Sequence, residues 1–435
     1  MKKNFIRLLA LLSITAFISG CVDNAEPIPI DPPTPTPHVY NLDGEFEETE
    51  YLKVDGKDIV TIGGDTIYLR GVNVGGLLVT ERWMCATRLS HGTTDHYNLT
   101  NTLYERFGEE KTQKFWAKYR ENYWNETDFE NCVKMGMNVL RLPFSYMNVD
   151  PNYHNVRKKE GQEFNFDVLD DFIEGAAKHH IYVILDLHGA YGSQNGQDHS
   201  GQVFATADEV DFYSNEEKMN KTVHLWVELA KHYKDVVTIA AYDILNEPGE
   251  KAGSTTTRHW DFFDKCYDAI REIDVDRPII MESCWDGANL PKRSAYGWEN
   301  VIYSFHNYSG DYTVSGNLSS YKNKLDGVRQ QNFAVPYYMG EFTCYNGEDI
   351  WTTILAYLNS EKWHWTSWSY KMSNSPERYG GWGIYFTGIH YMNVDIDDYD
   401  EMMDKLEYLD TSHVETVEMT FSSRNTLAKI LKEYY

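Results

Sequence analysis

The chain has 435 residues, with 66 acidic against 40 basic side chains and a formal charge of −26. So acidic a balance repels polyanions, which argues against nucleic acid as a partner and suits a neutral substrate. Of the six cysteines, the five other than Cys21 are odd in number and lack close spacing, which is neither a zinc ribbon nor a disulfide framework, so they are expected to be buried free thiols.

Residues 1–20 begin with Lys2, Lys3 and Arg7 and continue with an apolar run over 8–18 that is too short to span a bilayer. That is the pattern of a secretory signal. Ile18-Ser19-Gly20-Cys21 resembles the bacterial lipoprotein signal, in which the cysteine is lipidated and becomes the new N-terminus. The three signal cations removed, the rest of the chain carries −29 (−26 − 3). A lipid anchors a protein without spanning the membrane, so membrane contact is expected through the N-terminal lipid alone. Val22 stands where an Asp would resemble an inner-membrane retention signal, which directs the expectation to the outer membrane. Residues 26–38, EPIPIDPPTPTPH, alternate Pro with Thr and cannot pack a core, so they read as an extended stalk. The expected division is a signal peptide over 1–20, a lipidated cysteine and Pro-rich linker over 21–39, and one α/β domain over 40–435, expected to be monomeric.

Within that domain, 51–69 alternates apolar residues around Asp55-Gly56 and Gly63-Gly64, which predicts a small hairpin capping one end. Eight short apolar runs follow, at 68–74, 139–146, 182–189, 238–245, 278–284, 301–308, 337–342 and 364–371. Amphipathic helical stretches lie between them. One starts at a predicted capping box, Thr127 to Glu130, and stops at Gly136. A second box, Ser214 to Glu217, leads into the stripe Met219, Val223, Trp226 and Leu229. Further stripes are Val168, Leu169, Phe172 and Ile173, and Ile350, Trp351, Ile354, Leu355 and Leu358; residues 424–435 would close the fold as a last helix. Eight strands alternating with helices predict a closed parallel (β/α)8 TIM barrel.

The run over 238–245 is apolar on both faces and stops at Asn246-Glu247-Pro248, since Pro248 forbids another ladder bond. Asn246 and Glu247 are therefore expected as the last residues of that strand. The run over 337–342 likewise carries Glu341 near its end. Asn73, Arg141, His188, His306, Tyr308 and Trp368 fall at the same ends of other strands, where a barrel keeps its chemistry. A merely structural barrel needs no such polar rim, because each buried polar group costs stability unless paired.

Two carboxyls can cleave a glycosidic bond if one is neutral and the other charged. Arg141 beside Glu341 would hold that group ionised, and Glu247 would then keep its proton longer beside a negative neighbour. Asn246 offers an amide to a sugar hydroxyl next to the reacting carbon, and Trp368 a flat face for the ring. The set RGVNVGGLLVTERWM, NVLRLPFSY, LDLHGAYGSQNGQDHSG, ILNEP, FHNY and MGEF, in order from about residue 70 to 371, resembles glycoside hydrolase family 5, the cellulase family of clan A. It is most similar to the exo-β-1,3-glucanase branch. The resemblance implies retaining hydrolysis of a β-glucan poly- or oligosaccharide by double displacement, without cofactor or metal. Glu247 would be the acid/base and Glu341 the nucleophile. Arg141, His188, Asn246, His306, Tyr308 and Trp368 would support the attacked sugar, and Glu81 would bind the terminal one. Leu77, Arg82, Tyr191 and His199 depart from that branch at positions expected around the substrate. The insert over 380–412 is expected as another wall of the cleft.

Other readings of the same residues are an endo-β-1,4-glucanase, or activity on mannan, xyloglucan, β-1,6-glucan or glucosylceramide. A surface barrel that only binds glycan, and a metal-dependent hydrolase using Asp186, His188 and His306, complete the alternatives. Metal sites of the last kind usually need a close pair of histidines on one strand, and the first strand has none.

Overall fold

The computed structural model describes residues 38–249, 257–283, 289–309, 318–345, 347–373, 381–387, 390–410 and 427–435. The chain divides into two units, Met1–Val39 and Tyr40–Tyr435. The expected signal sequence, Cys21 and the Pro/Thr run up to residue 37 lie outside the described residues, as do residues 374–380 and 411–426.

The first strands, β1 (Leu52–Asp55), β2 (Asp58–Thr61) and β3 (Thr66–Ile67), pair antiparallel in a three-stranded sheet. It is one strand larger than the expected hairpin, because Gly63-Gly64 turns the chain back a second time. Leu52 and Ile59 pack with Val139, Ile184, Ile280 and Ile302, so this sheet plugs the floor of the barrel.

The barrel itself comprises β4 (Arg70–Asn73), β6 (Val139–Ser145), β7 (Tyr182–Gly189), β8 (Ile239–Asp243), β9 (Ile279–Glu282), β10 (Val301–Asn307), β11 (Tyr337–Phe342) and β12 (His364–Ser367). It closes in the order β10-β11-β12-β4-β6-β7-β8-β9, with every pairing parallel. The short β5 (Thr87–Arg88) lies outside it. Side chains alternate along each strand. On β7, Val183, Leu185 and Leu187 pack outward into the main core, while Tyr182 and Ile184 join the floor cluster. The same inward row then continues upward through Asp186 and His188. An apolar floor and a charged upper layer therefore come from one period-two pattern.

The helices differ in detail from their sequence signals. Helix α1 (His96–Tyr123) has non-helical backbone at Gly108, φ 78°, and no clear apolar stripe, so periodicity does not single it out. Helix α2 (Glu126–Met135) starts two residues before the predicted Thr127 box. Asn125 accepts from Thr127 N, and Asp128 accepts from Asn125 N, which closes the box first. Gly136 ends α2 in the left-handed region, φ 95°. Helix α4 (Glu216–Tyr233) is capped by Asn215, because the Ser214 hydroxyl bonds back to Asp211 O. The stripes on α3 (Asp167–Lys178) and on the helix Glu348–Ser360 face the core, with Leu169, Phe172, Ile173, Trp351 and Leu355 buried. The last helix is Leu427–Lys432. Cys85, Cys132, Cys266 and Cys344 are free and buried. Among the described residues, no helix is long and apolar enough to cross a membrane.

Candidate active site

Arg141 stands at the centre of the upper layer, fully buried on β6. Its Nε donates to Asp243 Oδ2 at 2.9 Å, Nη1 to Glu341 Oε1 at 2.7 Å and Asn73 Oδ1 at 3.0 Å, and Nη2 to Asn246 Oδ1 at 3.0 Å. Asp186 Oδ1 at 3.1 Å and Glu282 Oε2 at 3.4 Å complete its surroundings. A buried cation is tolerated when its donors are all met. Burial opposes the charge, but Asp186, Asp243, Glu341 and Glu282 together push the Arg141 pKa up. Burial also drives the carboxyls of Asp186 and Asp243 well above the usual carboxylate range, against the pull of Arg141. Asp243 and Glu282 were not anticipated as site residues. Their signal was a lone acid inside an apolar strand run, YDIL and IIME.

Glu341 closes β11 and is fixed at both oxygens. Arg141 holds Oε1, and the Tyr308 hydroxyl donates to Oε2 at 2.7 Å. Gly340 before it is required by space, since a Cβ there would lie 2.6 Å from Ser304 Oγ and 3.2 Å from His306 Nε2.

Glu247 is not on its strand. The ladder of β8 ends at Asp243, and Asn246 and Glu247 follow in a bend, with Glu247 at φ 38°. The turn ahead of Pro248 lifts the carboxyl off the sheet, and such backbone persists only where neighbours fix it. Here Glu247 N donates to Glu282 Oε1 at 2.6 Å. The side chain lies between two imidazoles, with His306 Nδ1 at 3.0 Å from Oε1 and His199 Nε2 at 3.2 Å from Oε2. Burial raises the Glu247 carboxyl, but His199 and His306 outweigh it and push the pKa down to about 2. These imidazoles favour the charged form of Glu247, the opposite of the protonation expected from its neighbour Glu341. The reason is that histidines, more than the neighbouring Glu341, surround it. His306 is itself pushed well up: burial opposes its charge, while Glu282, Glu341 and Glu247 favour it.

His188 is buried and pushed down to about 3 by burial; its Nδ1 lies 2.6 Å from Asp186 Oδ2. Its ring stacks on Trp368, centroids 5.5 Å apart at 11°. Gly75 fits beneath that tryptophan because a Cβ there would lie 2.8 Å from Trp368 Cζ2. Asn246 turns Oδ1 to Arg141, which leaves Nδ2 facing the cleft. Gln194, also unanticipated, clamps the loop by donating to His188 O at 3.0 Å and Asn246 O at 2.8 Å.

Of these groups, His188, Asn246, Glu247, Tyr308, Glu341 and Trp368 line a cavity of about 300 Å³. Glu81 lies on its wall, 6% exposed, and accepts from Trp83 Nε1 at 2.7 Å. Burial and the nearby Asp198 push its carboxyl well up. Trp382, from the insert, stacks on Tyr308 at 5.2 Å and meets Trp83 edge-on at 4.9 Å, so the described part of the insert does wall the cleft. All nine side chains expected at the site are brought together or adjoin it. Of the four departures only His199 lines the cleft. Leu77 faces a separate cavity with Leu78, Trp124 and Phe172. Tyr191 donates to Asp150, and Arg82 is exposed.

One ligand atom each from Glu247, His306 and Glu341 lie within 4.8 Å of one another, a spacing that a metal ion's ligands also show. The donors do not fit that use. His306 already bridges the carboxyls, and an added cation would meet the Arg141 charge at Glu341.

Residues 101–374 match the model of the cellulase family, glycosyl hydrolase family 5. A β-xylosidase of Phanerodontia chrysosporium is 33% identical over 266 residues, 60% of this chain and 52% of its own length. A probable glucan 1,3-β-glucosidase A of Aspergillus fumigatus is 30% identical over 290 residues, 63% of this chain and 65% of its own. The chain thus spans between half and two thirds of these relatives. The fold resembles that of the β-glucanase SdGluc5_26A from Saccharophagus degradans, TM-score 0.52 at 15% identity over 87% of this chain and 98% of that one. It also resembles AoRut, TM-score 0.55 at 17% identity over 79% and 97%.

Proposed function

The chain belongs to glycosyl hydrolase family 5, and from that premise we propose that it is a retaining β-glycosidase acting on β-glucan. The observation that carries this is the spacing of the two acids, whose nearest oxygens lie within 4.8 Å across one cavity. A retaining enzyme needs about 5–5.5 Å between its carboxyls, whereas an inverting one needs about 6.5–9.5 Å to admit water. Glu341, with one oxygen on Arg141 and one on Tyr308, is the nucleophile. It attacks the anomeric carbon while Glu247 protonates the departing oxygen. Water then reverses the two roles on the covalent glycosyl ester. Asn246 Nδ2 binds the hydroxyl next to the reacting carbon, and Trp368 carries the ring's apolar face. Glu81, buried and bonded to the Trp83 indole, binds the terminal sugar, which favours release from a chain end.

The relatives' names supply the two sugars to compare, a 1,3-linked glucoside and a xyloside. The test is product analysis on β-1,3-, β-1,4- and β-1,6-glucans, mannan and aryl β-glucosides and β-xylosides. Glucose released alone from the β-1,3-glucan is the expected result. Mixed oligosaccharides would replace the exo reading with an endo one, and no turnover of any substrate would refute the proposal. Residues 1–39 are proposed to carry a lipid on Cys21 and a stalk that tethers a monomeric domain to the outer membrane. Labelling with a fatty-acid probe, lost in Cys21→Ala, tests that anchor.

A further inference from the structure

The two oxygens of Glu247 are not equivalent. Oε1 is taken by His306 Nδ1 at 3.0 Å, so the leaving-group oxygen must receive its proton from Oε2. His199 Nε2 stands 3.2 Å from that oxygen. His199 comes from the short turn Asp198–Ser200 after β7, on the cleft side, and none of the roles assigned above includes it. Its nitrogen is also 2.8 Å from Asn195 Nδ2. That amide cannot flip freely, because its Oδ1 accepts from Gln197 N at 3.1 Å and its Nδ2 donates to Glu247 O at 3.3 Å. An amide N–H aimed at Nε2 favours a lone pair there. When the same nitrogen carries a proton it faces Oε2, the state in which His199 holds the Glu247 carboxyl down, so the proton can sit at either end of the contact.

We infer that His199 is the positioning residue for the acid's proton, sharing one proton with Glu247 in an Nε2–Oε2 bridge that opens when the leaving group arrives. The inference rests on the reading of Glu247 as acid/base. In the first step a Glu341 oxygen bonds to the anomeric carbon. The old C–O bond breaks toward the leaving oxygen, which takes the bridge proton. In the second step water bonds to that carbon, the ester bond returns its electrons to Glu341, and the water's proton refills the bridge. Atoms and charge balance without any other reactant. The groups that face the bridge are His188 from β7, Asp198 beside His199, Glu81 from the loop after β4, Glu282 from β9, His306 from β10 and Glu341 from β11. His306 holds the other oxygen and Arg141 the other acid, which leaves His199 as the group in contact with Oε2 that can take up and return a proton.

Groups that interact this closely release their protons in steps that belong to the pair rather than to either residue, so removing His199 moves the step in which the acid's proton is lost. The alkaline limb of kcat/KM reports loss of the acid's proton from the free enzyme. The experiment is the pH profile of kcat/KM for the full chain, His199→Asn and His199→Gln, on an alkyl β-glucoside and on 2,4-dinitrophenyl β-glucoside. Glutamine keeps a donor and an acceptor at the position but cannot titrate, so it guards against a simple packing defect. With the alkyl substrate, the alkaline midpoint of both variants should fall by about 1 pH unit. With the dinitrophenyl substrate, whose leaving group departs unprotonated, it should stay where it is. An unmoved limb in variants of normal thermal stability overturns the inference, and so does an equal shift with both substrates. A wild-type chain inactive on both would refute the glycosidase reading itself, and this inference with it.

Discussion

Replacing Asn246 with Ala separates catalysis from stability at this site. The Asn246 side chain has two jobs: Oδ1 accepts from Arg141 Nη2 at 3.0 Å, and Nδ2 faces the cleft. Losing Oδ1 does not orphan the guanidinium, because Asp186 at 3.1 Å and Glu282 at 3.4 Å remain beside Nη2. The stability loss should therefore be at most that of one hydrogen bond to a charged group, about 1.5–3 kcal/mol, eased by the carboxylates that stay beside Nη2. In a domain of this size that lowers Tm by only a few degrees. The catalytic loss is not eased in this way, since the bond to the substrate's 2-hydroxyl tightens as charge develops in the transition state. At about 1.5–3 kcal/mol for a charge-assisted bond, kcat/KM should fall about 10- to 150-fold. The assay is kcat/KM on an aryl β-glucoside and its 2-deoxy analogue, for wild type and Asn246→Ala. The variant should lose rate on the glucoside and almost none on the 2-deoxy sugar. An equal loss on both substrates would refute the assignment of Nδ2 to that hydroxyl, and a collapse of Tm would refute the account of Arg141.

Two further outcomes follow from the same geometry. Glu341→Gly should be inactive yet folded, and azide should restore turnover with an activated aryl glucoside to give the inverted glycosyl azide; a product of retained configuration would contradict Glu341 as nucleophile. Glu81 is buried and its carboxyl is pushed above the usual range, so the folded state keeps a proton that the unfolded state has lost above about pH 4. Protons bound in the native state then exceed those in the unfolded one, and stability from this group falls as pH rises toward the folded pKa. Glu81→Gln removes that loss, so its Tm relative to wild type should be more favourable at pH 8 than at pH 4. A pH-independent difference would show that Glu81 does not titrate as described.

The barrel was legible because its strands are apolar on both faces. The runs over 182–189 and 337–342 appear as β7 and β11 without a residue's difference. Ends were less legible where a side chain outcompetes a pattern. Asn125 and Asn215, short and extended at their backbones, cap helices in place of the Thr and Ser expected to do so. Glu247 misled for a different reason: hydrophobic patterning reports burial, and Leu245 is as buried beyond the ladder as Ile239 within it. The site was legible through motif order, which named its outer contacts. Its inner ion network was not, because a carboxyl such as Asp243 or Glu282 reveals its partner only when five other strands bring their side chains to Arg141. Trp382 was hidden for a similar reason, since an insert has no strand to set the direction of its side chains.

The two acids differ in what holds them, and that difference is the chemical content of the arrangement. The partners of Glu341 are a guanidinium and a phenol, and both resist giving up a proton. Arg141 is pushed up by the carboxylates around it, and Tyr308 by burial and then by Glu341 itself. A nucleophile needs this, because a partner that surrendered its proton would quench the attacking oxygen. The partners of Glu247 are two imidazoles: His306, pushed up by the carboxyls around it, holds one oxygen, and His199 reaches the other. An acid that must give a proton in one step and recover it in the next needs neighbours that can share the exchange. The barrel supplies the two environments within one cavity. Arginine and tyrosine come from β6 and the end of β10, and histidines from β10 and the turn after β7. Exchanging the character of either set, as in Tyr308→His or His306→Arg, should cost activity even where every hydrogen bond is rebuilt.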